Sequence, residues 1–132
     1  MRVLALDYGS ARCGCALSDP SGTIVTPIAA VPRPGSKRGL QALAQIARER
    51  EVERVLVGLP LSLRGSDTAQ TRETRAFARA LARALGSSVP VEMHDERFTT
   101  RIASRMEGAF NSSEDSRAAA LLLESWLARA SR

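Results

Sequence analysis

The spacing of hydrophobic positions changes several times along the chain, and each change marks an element. Residues 2–7 and 13–19 are short runs of strand formers joined by Tyr8-Gly9-Ser10-Ala11-Arg12, and a third run, 23–31, follows the Pro20-Ser21-Gly22 turn. Connections this short predict an antiparallel meander. Pro32-Arg33-Pro34-Gly35-Ser36 interrupts the pattern, after which residues 38–51 carry Leu40, Leu43, Ala44 and Ala47 at helical spacing. Residues 52–58 read as a buried strand closed by Leu59-Pro60. Residues 67–85 then read as a helix stopped by Gly86, and residues 89–93 as a last strand. Two more helices are expected, one after Glu96 and one opening near Ser113. Strands alternating with helices require crossover connections and parallel pairing, so the expected fold class is α/β, a mixed sheet with helices packed on it.

Three acidic residues far apart in sequence fall at the ends of these elements: Asp7 closing the first strand, Glu96 after the last strand, and Asp115 opening the last helix. An Asp at a strand end is often a turn residue, and an acid in a first helical turn gains well under about 1 kcal/mol from the helix dipole. Asp115 nevertheless shares the spacing of Ala118 or Ala119, Leu122 and Trp126, a face that should look at the core. A carboxylate beside apolar structure costs several kcal/mol unless something compensates it, and a divalent cation does so. The three positions therefore suggest a carboxylate cluster holding Mg²⁺ or Mn²⁺. Gly9, two residues after Asp7, would let a ligand approach the backbone.

At 132 residues and 44% hydrophobic, residues 1–132 fit a single domain with its own core. No apolar run is long enough to span a bilayer, and the chain starts with a strand-like segment instead of a charged and apolar leader, so a cytoplasmic location is expected. Cys13 and Cys15 would point to one face of a strand, where they cannot pair with each other and read as buried thiols in a reducing compartment. Nineteen basic residues against fourteen acidic give a net charge of +5, and all but Lys37 of the basic residues are Arg. This balance favours a polyanionic partner, with guanidinium forks suited to phosphate.

Arg72, Arg75, Arg79 and Arg83 form one stripe on the helix 67–85, opposite Phe77, Ala78, Leu81 and Leu85, and read first as a solvated face. Arg97, Arg101 and Arg105 recur every four residues beside Glu96, where phosphate binding competes with plain solvation. Aromatics make up only 4% of the chain, which disfavours a platform of stacked bases. His94 precedes Asp95 and Glu96 and reads as a structural histidine. Asp95 reads as fixing the turn that presents Glu96, although Asp19, Asp95 and Glu114 all stand open as a fourth carboxylate.

Several short motifs then coincide. Asp7-Tyr8-Gly9 with Arg12 and Gly14, Ser18-Asp19, Gly58-Leu59-Pro60 followed by Gly65, Asp95-Glu96-Arg97-Phe98-Thr99-Thr100, and Asp115-Ser116-Arg117-Ala118-Ala119 leading to Leu123-Glu124-Ser125 resemble, in order and spacing, the YqgF/RuvX family. That family is described both as Holliday-junction resolvases and as pre-16S rRNA nucleases. The resemblance covers nearly the full length and departs from the family pattern at Ala11, where many members carry Lys, and in the short segment 107–114, which has no basic residue.

The resemblance implies an RNase H-like fold: a five-stranded mixed sheet, three antiparallel strands first, flanked by helices. It implies catalytic and metal-binding roles for Asp7, Glu96 and Asp115, with two Mg²⁺ or Mn²⁺ ions in the substrate complex. Gly9, Arg12, Arg97 and Arg101 become the candidates for contact with substrate. The implied activity is a hydrolase, a two-metal-ion nuclease maturing the 5′ end of pre-16S rRNA in ribosome biogenesis, with a four-way-junction resolvase as the alternative. A non-catalytic RNA- or ribosome-binding module and half of an actin-like ATPase are more distant alternatives. The partners implied are nucleic acid, RNA before DNA, and pre-ribosomal particles, with no membrane and with a monomer or homodimer left open.

Overall fold

The computed structural model describes residues 1–98 and 114–130, with the side chains of Phe98, Glu114 and Asp115 outside that description. Five strands, β1 (Val3–Asp7), β2 (Arg12–Ser18), β3 (Val25–Pro32), β4 (Arg54–Leu59) and β5 (Val91–Asp95), form one sheet in the order β3-β2-β1-β4-β5. The first three are antiparallel neighbours, whereas β4 and β5 run parallel to β1. Helices α1 (Lys37–Glu49) and α2 (Ala69–Leu85) supply the crossovers, and α3 (Glu114–Ala130) closes the described chain. The expected mixed sheet, with its three antiparallel strands first, is what forms.

Side-chain alternation divides the sheet into two faces. Leu4, Leu6, Cys13 and Cys15 pack with Leu43, Phe77 and Leu81 under α1 and α2. Val3, Ala5, Ala16 and Leu56 pack with Ala119, Ala120, Leu122 and Leu123 under α3. Both cysteines are free and buried on one face, as their spacing predicts. On α3 it is Ala119 that is buried while Ala118 is exposed; Leu122 is buried and Trp126 half-buried.

Local chemistry sets the element ends. Ser36 caps α1, its hydroxyl accepting from the Gly39 N–H at 3.0 Å, and Thr68 caps α2 in a reciprocal box with Thr71. Because Thr68 is the cap, α2 starts two residues after the expected Asp67. Strand β4 starts at Arg54, later than expected, because the Val52 N–H is still held by Ala47 O and the Glu53 N–H by Arg2 O. Strand β5 continues past Met93 to Asp95 through parallel pairing of Gly58 with His94 and Leu59 with Asp95. Beyond it, Glu96–Phe98 forms a turn of 3-10 helix. The remainder of the helix expected after Glu96 lies outside the described residues, as do Arg101 and Arg105. Among the described residues, no helix is long and apolar enough to cross a membrane.

Candidate metal centre

Asp7 is the last residue of β1, two positions beyond Ala5, so alternation aims it toward the α3 face. Glu96 directly follows β5, and β4 lies between the two strands. The Glu96 side chain bridges that gap by lying over Gly58. A β-carbon there would stand 2.6 Å from Glu96 Oε1 and 2.9 Å from its Cγ, closer than real side chains approach. Carboxyl groups from the ends of β1 and β5 thus meet across a glycine in the strand that separates them.

Asp7 and Glu96 are joined by a side-chain hydrogen bond, which requires a proton on one of the two carboxyls. Burial, first, then the charge of Asp7, that hydrogen bond and the charge of Asp95 push the Glu96 carboxyl up from 4.5 to about 7. Below about pH 7 Glu96 therefore tends to hold a proton beside Asp7, one that a cation would displace. Hard oxygen donors on a buried, acid-rich site fit Mg²⁺ or Mn²⁺.

Asp115 is the second residue of α3, the helix that covers the Asp7 face. Its side chain is outside the description, and among the described residues no three acidic, His or Cys side chains gather into one group. The backbone beside it is well anchored. Ser116 is fully buried, its Oγ donating to Ile28 O at 2.5 Å and accepting from the Cys15 N–H at 3.3 Å, which ties the start of α3 to β2 and β3.

Asp95 does fix the turn that presents Glu96: its Oδ1 accepts the Arg97 N–H at 2.9 Å. The same carboxylate grips the Arg97 guanidinium, with Nε 2.8 Å and Nη2 2.5 Å from Oδ2, and this pairing holds the Asp95 carboxyl below its usual range. Arg97 Nη1 also donates to Leu63 O at 3.3 Å and sits against Gly65, so it braces the loop 60–66 against the Glu96 turn. Arg12 opens β2, exposed, at the far end of a turn in which a β-carbon on Gly9 would stand 2.8 Å from Arg12 O. That tight turn, more than an approaching ligand, explains Gly9.

The sequence left three further carboxylates open. Asp19 is at the opposite end of the sheet, holding its own turn by accepting from the Thr23 and Ile24 N–H groups, and so leaves the site. Asp95 is committed to Arg97, and the Glu114 side chain is outside the description. His94 is buried with Nε2 3.3 Å from Ser125 Oγ, and burial, then Arg129, lowers its pKa, which agrees with a structural role. Within the α2 stripe, Arg72, Arg79 and Arg83 are exposed while Arg75 pairs with Asp67 at 3.0 Å. Two residues of the motifs have contacts the sequence reading did not foresee. Gly58, singled out in Gly58-Leu59-Pro60, makes room for Glu96 itself. Tyr8 stacks on Phe77 with centroids 4.6 Å apart and donates to Glu73 at 2.9 Å, locking the end of β1 to α2.

A family model described as RuvX, Holliday junction resolvase, matches residues 1–129. A protein of Anaeromyxobacter sp. strain Fw109-5, named "Putative pre-16S rRNA nuclease", is 44% identical over 96% of each chain. Its namesake in Anaeromyxobacter dehalogenans is 40% identical over 98% of each. Among solved structures, Thermus thermophilus RuvC in complex with a Holliday junction aligns with a TM-score of 0.60 at 17% identity over 99% of this chain and 96% of the other. The fowlpox virus resolvase in its Holliday-junction complex aligns with a TM-score of 0.61 at 12% identity over the whole of both chains. At such identities these two structures speak for the fold alone, which is RuvC-like and of the RNase H type. By its full-length family match and its relatives, the chain belongs to the RuvX family.

Proposed function

We propose that this protein is a metal-dependent nuclease that hydrolyses phosphodiester bonds, acting in the 5′-end maturation of pre-16S rRNA. The observation that carries the reading is the meeting of the Asp7 and Glu96 carboxyls over Gly58 at the end of an RNase H-like sheet. Asp7, Glu96 and Asp115 would hold the metal. Mg²⁺ or Mn²⁺ held there would supply activation of water and stabilisation of the leaving oxygen.

The chain's own residues do the rest. Glu96 gives up its proton as the cation enters, and Gly58 keeps its carboxylate within reach of Asp7. Arg97 braces the loop 60–66 beside the site, and Arg12 and Arg101 meet phosphates of the strand. The tight Gly9 turn sets Arg12 beside the end of β1. Residues 1–132 act as one nuclease domain, working in the cytoplasm on RNA within pre-ribosomal particles.

A second reading, a resolvase for four-way DNA, is favoured by the description of the family model and by two fold neighbours that carry junction DNA. Paired cuts by such an enzyme require two copies of the site related by symmetry, hence a dimer.

The test is to incubate the protein and its Asp7→Asn form with matched single-stranded RNA, single-stranded DNA and a four-way DNA junction, each with Mg²⁺, Mn²⁺ or chelator. Metal-dependent cutting of RNA, lost by orders of magnitude in the variant, is the expected result. Paired cuts confined to the junction would move the assignment to a resolvase. No cutting by folded, metal-supplied protein would leave a non-catalytic binding module.

A further inference from the structure

We infer that the surface between the end of β3 and the first turns of α1 takes a further stretch of the substrate strand, a nucleotide or more from the phosphate at Asp7 and Glu96; this rests on the nuclease reading above. A cavity of about 540 Å³ lies there, walled by Val31, Pro32 and Ala42 and rimmed by Arg33, Ser36 and Arg38. Its volume is within the range of sites for small organic ligands, and a nucleotide needs this mixture: an apolar wall for base or sugar and cations for phosphate.

The rim is a cluster of cations with no acid in its own segment, one of several exposed basic stretches beside the α2 stripe. Arg2, Arg54, Arg75 and Arg97 are each paired with a carboxylate. Arg33, Lys37 and Arg38 are exposed and make no ion pair among the described residues. Residues 20–48 contain no Asp or Glu, so no acid of that segment dilutes the positive field. Such a cluster of cations is complementary to a phosphate backbone.

The rim is also fixed to the catalytic end of the sheet. Pro32 pairs in register with Arg12, and the Arg33 N–H donates to Ala11 O at 2.9 Å. Arg33 O in turn accepts from the Ser36 N–H at 3.0 Å and the Ser36 hydroxyl at 2.7 Å. Tyr8, next to Asp7, has its hydroxyl 3.7 Å from where a β-carbon on Gly35 would lie. A strand leaving Asp7 on the α3 face would have to round the end of the sheet, past the β1–β2 turn and Arg12, to reach Arg33 and Arg38 on the α1 face.

The test uses the full chain carrying Asp7→Asn, so that bound strand is not cut, and follows the anisotropy of a labelled single-stranded RNA across a salt series. Arg33→Ala with Arg38→Ala is compared with Arg48→Ala with Arg50→Ala, which removes the same charge from the far end of α1; melting curves check that each folds. The Arg33/Arg38 pair should lower the slope of log affinity against log salt by about 1.4, or about 0.7 for each phosphate of a single strand that is no longer neutralised. The same pair should leave a dinucleotide too short to span both places bound as before, and the Arg48/Arg50 pair should change neither.

Equal slopes in all three proteins, or equal losses in both double variants, would overturn the inference, as would failure of the parent to bind RNA at low salt. The nuclease reading is judged separately, by cutting with intact Asp7. If the wild type cuts while the slope ignores Arg33 and Arg38, only the strand surface fails. If nothing is cut while the slope drops in that double variant alone, the surface stands and the nuclease reading fails.

Discussion

Glu96 shows how much a single carboxyl depends on its neighbours. Its pKa is raised from 4.5 to about 7, so between those values the folded, metal-free protein holds a proton that the unfolded chain has released. With more protons bound in the folded state, stability falls as pH rises through that window. Thermal melts in chelator should show the melting temperature declining from pH 4.5 toward 7, with a flatter profile in Glu96→Gln. Gly58 is the matching test of geometry. Alanine there would put a methyl 2.6 Å from Glu96 Oε1 and force that carboxylate aside. Misplacement by about 1 Å typically costs on the order of 10²-fold in rate, so Gly58→Ala should cut that much more slowly while remaining folded. The sequence identified Asp7 and Glu96 because charge at an element's end is locally legible. It did not reveal what Gly58 is for, because that contact joins two strands across a crossover.

At the scale of elements, one contact ties α3 to the sheet and another sets the close entry to α1. The Ser116 hydroxyl is fully buried and satisfies both Ile28 O and the Cys15 N–H. Ser116→Ala strips both groups of a partner and should lower unfolding free energy by about 1–3 kcal/mol in urea titrations. Gly39→Ala is the converse case. A helical glycine usually gains from alanine, but here the added carbon would stand 2.1 Å from Arg33 O, so the substitution should destabilise by about 1–3 kcal/mol. Element identity was readable because apolar spacing switches cleanly between periods. Element ends were less so, since Thr68 as a cap, the Val52 N–H held by Ala47 and the parallel pairing of β5 are settled by partners outside each local window. Asp115 was placed at the start of the last helix by spacing, and the backbone agrees.

Taken whole, the molecule gathers the ends of β1 and β5 and the start of α1 at one end of a sheet, with an acid pair at the centre and a basic rim at the edge. The antiparallel-then-parallel architecture was legible from connection lengths and from family motifs; the basic rim was not, because Arg12, Arg33 and Arg38 come together only when β2 meets β3. A cation bound only by the folded state must stabilise it, so saturating Mn²⁺ should raise the melting temperature of the wild type and leave Asp7→Asn nearly unmoved. The most direct measurement is a calorimetric titration of Mn²⁺ into the protein near pH 6.5, repeated in buffers of different ionisation heat so that released protons are counted. If Asp7 and Glu96 are a metal centre where the cation displaces the proton on Glu96, Mn²⁺ will bind with proton release, and Glu96→Gln will lose that release along with most of the affinity. Absence of binding, or binding with no protons released and no response to Glu96→Gln, would contradict the account.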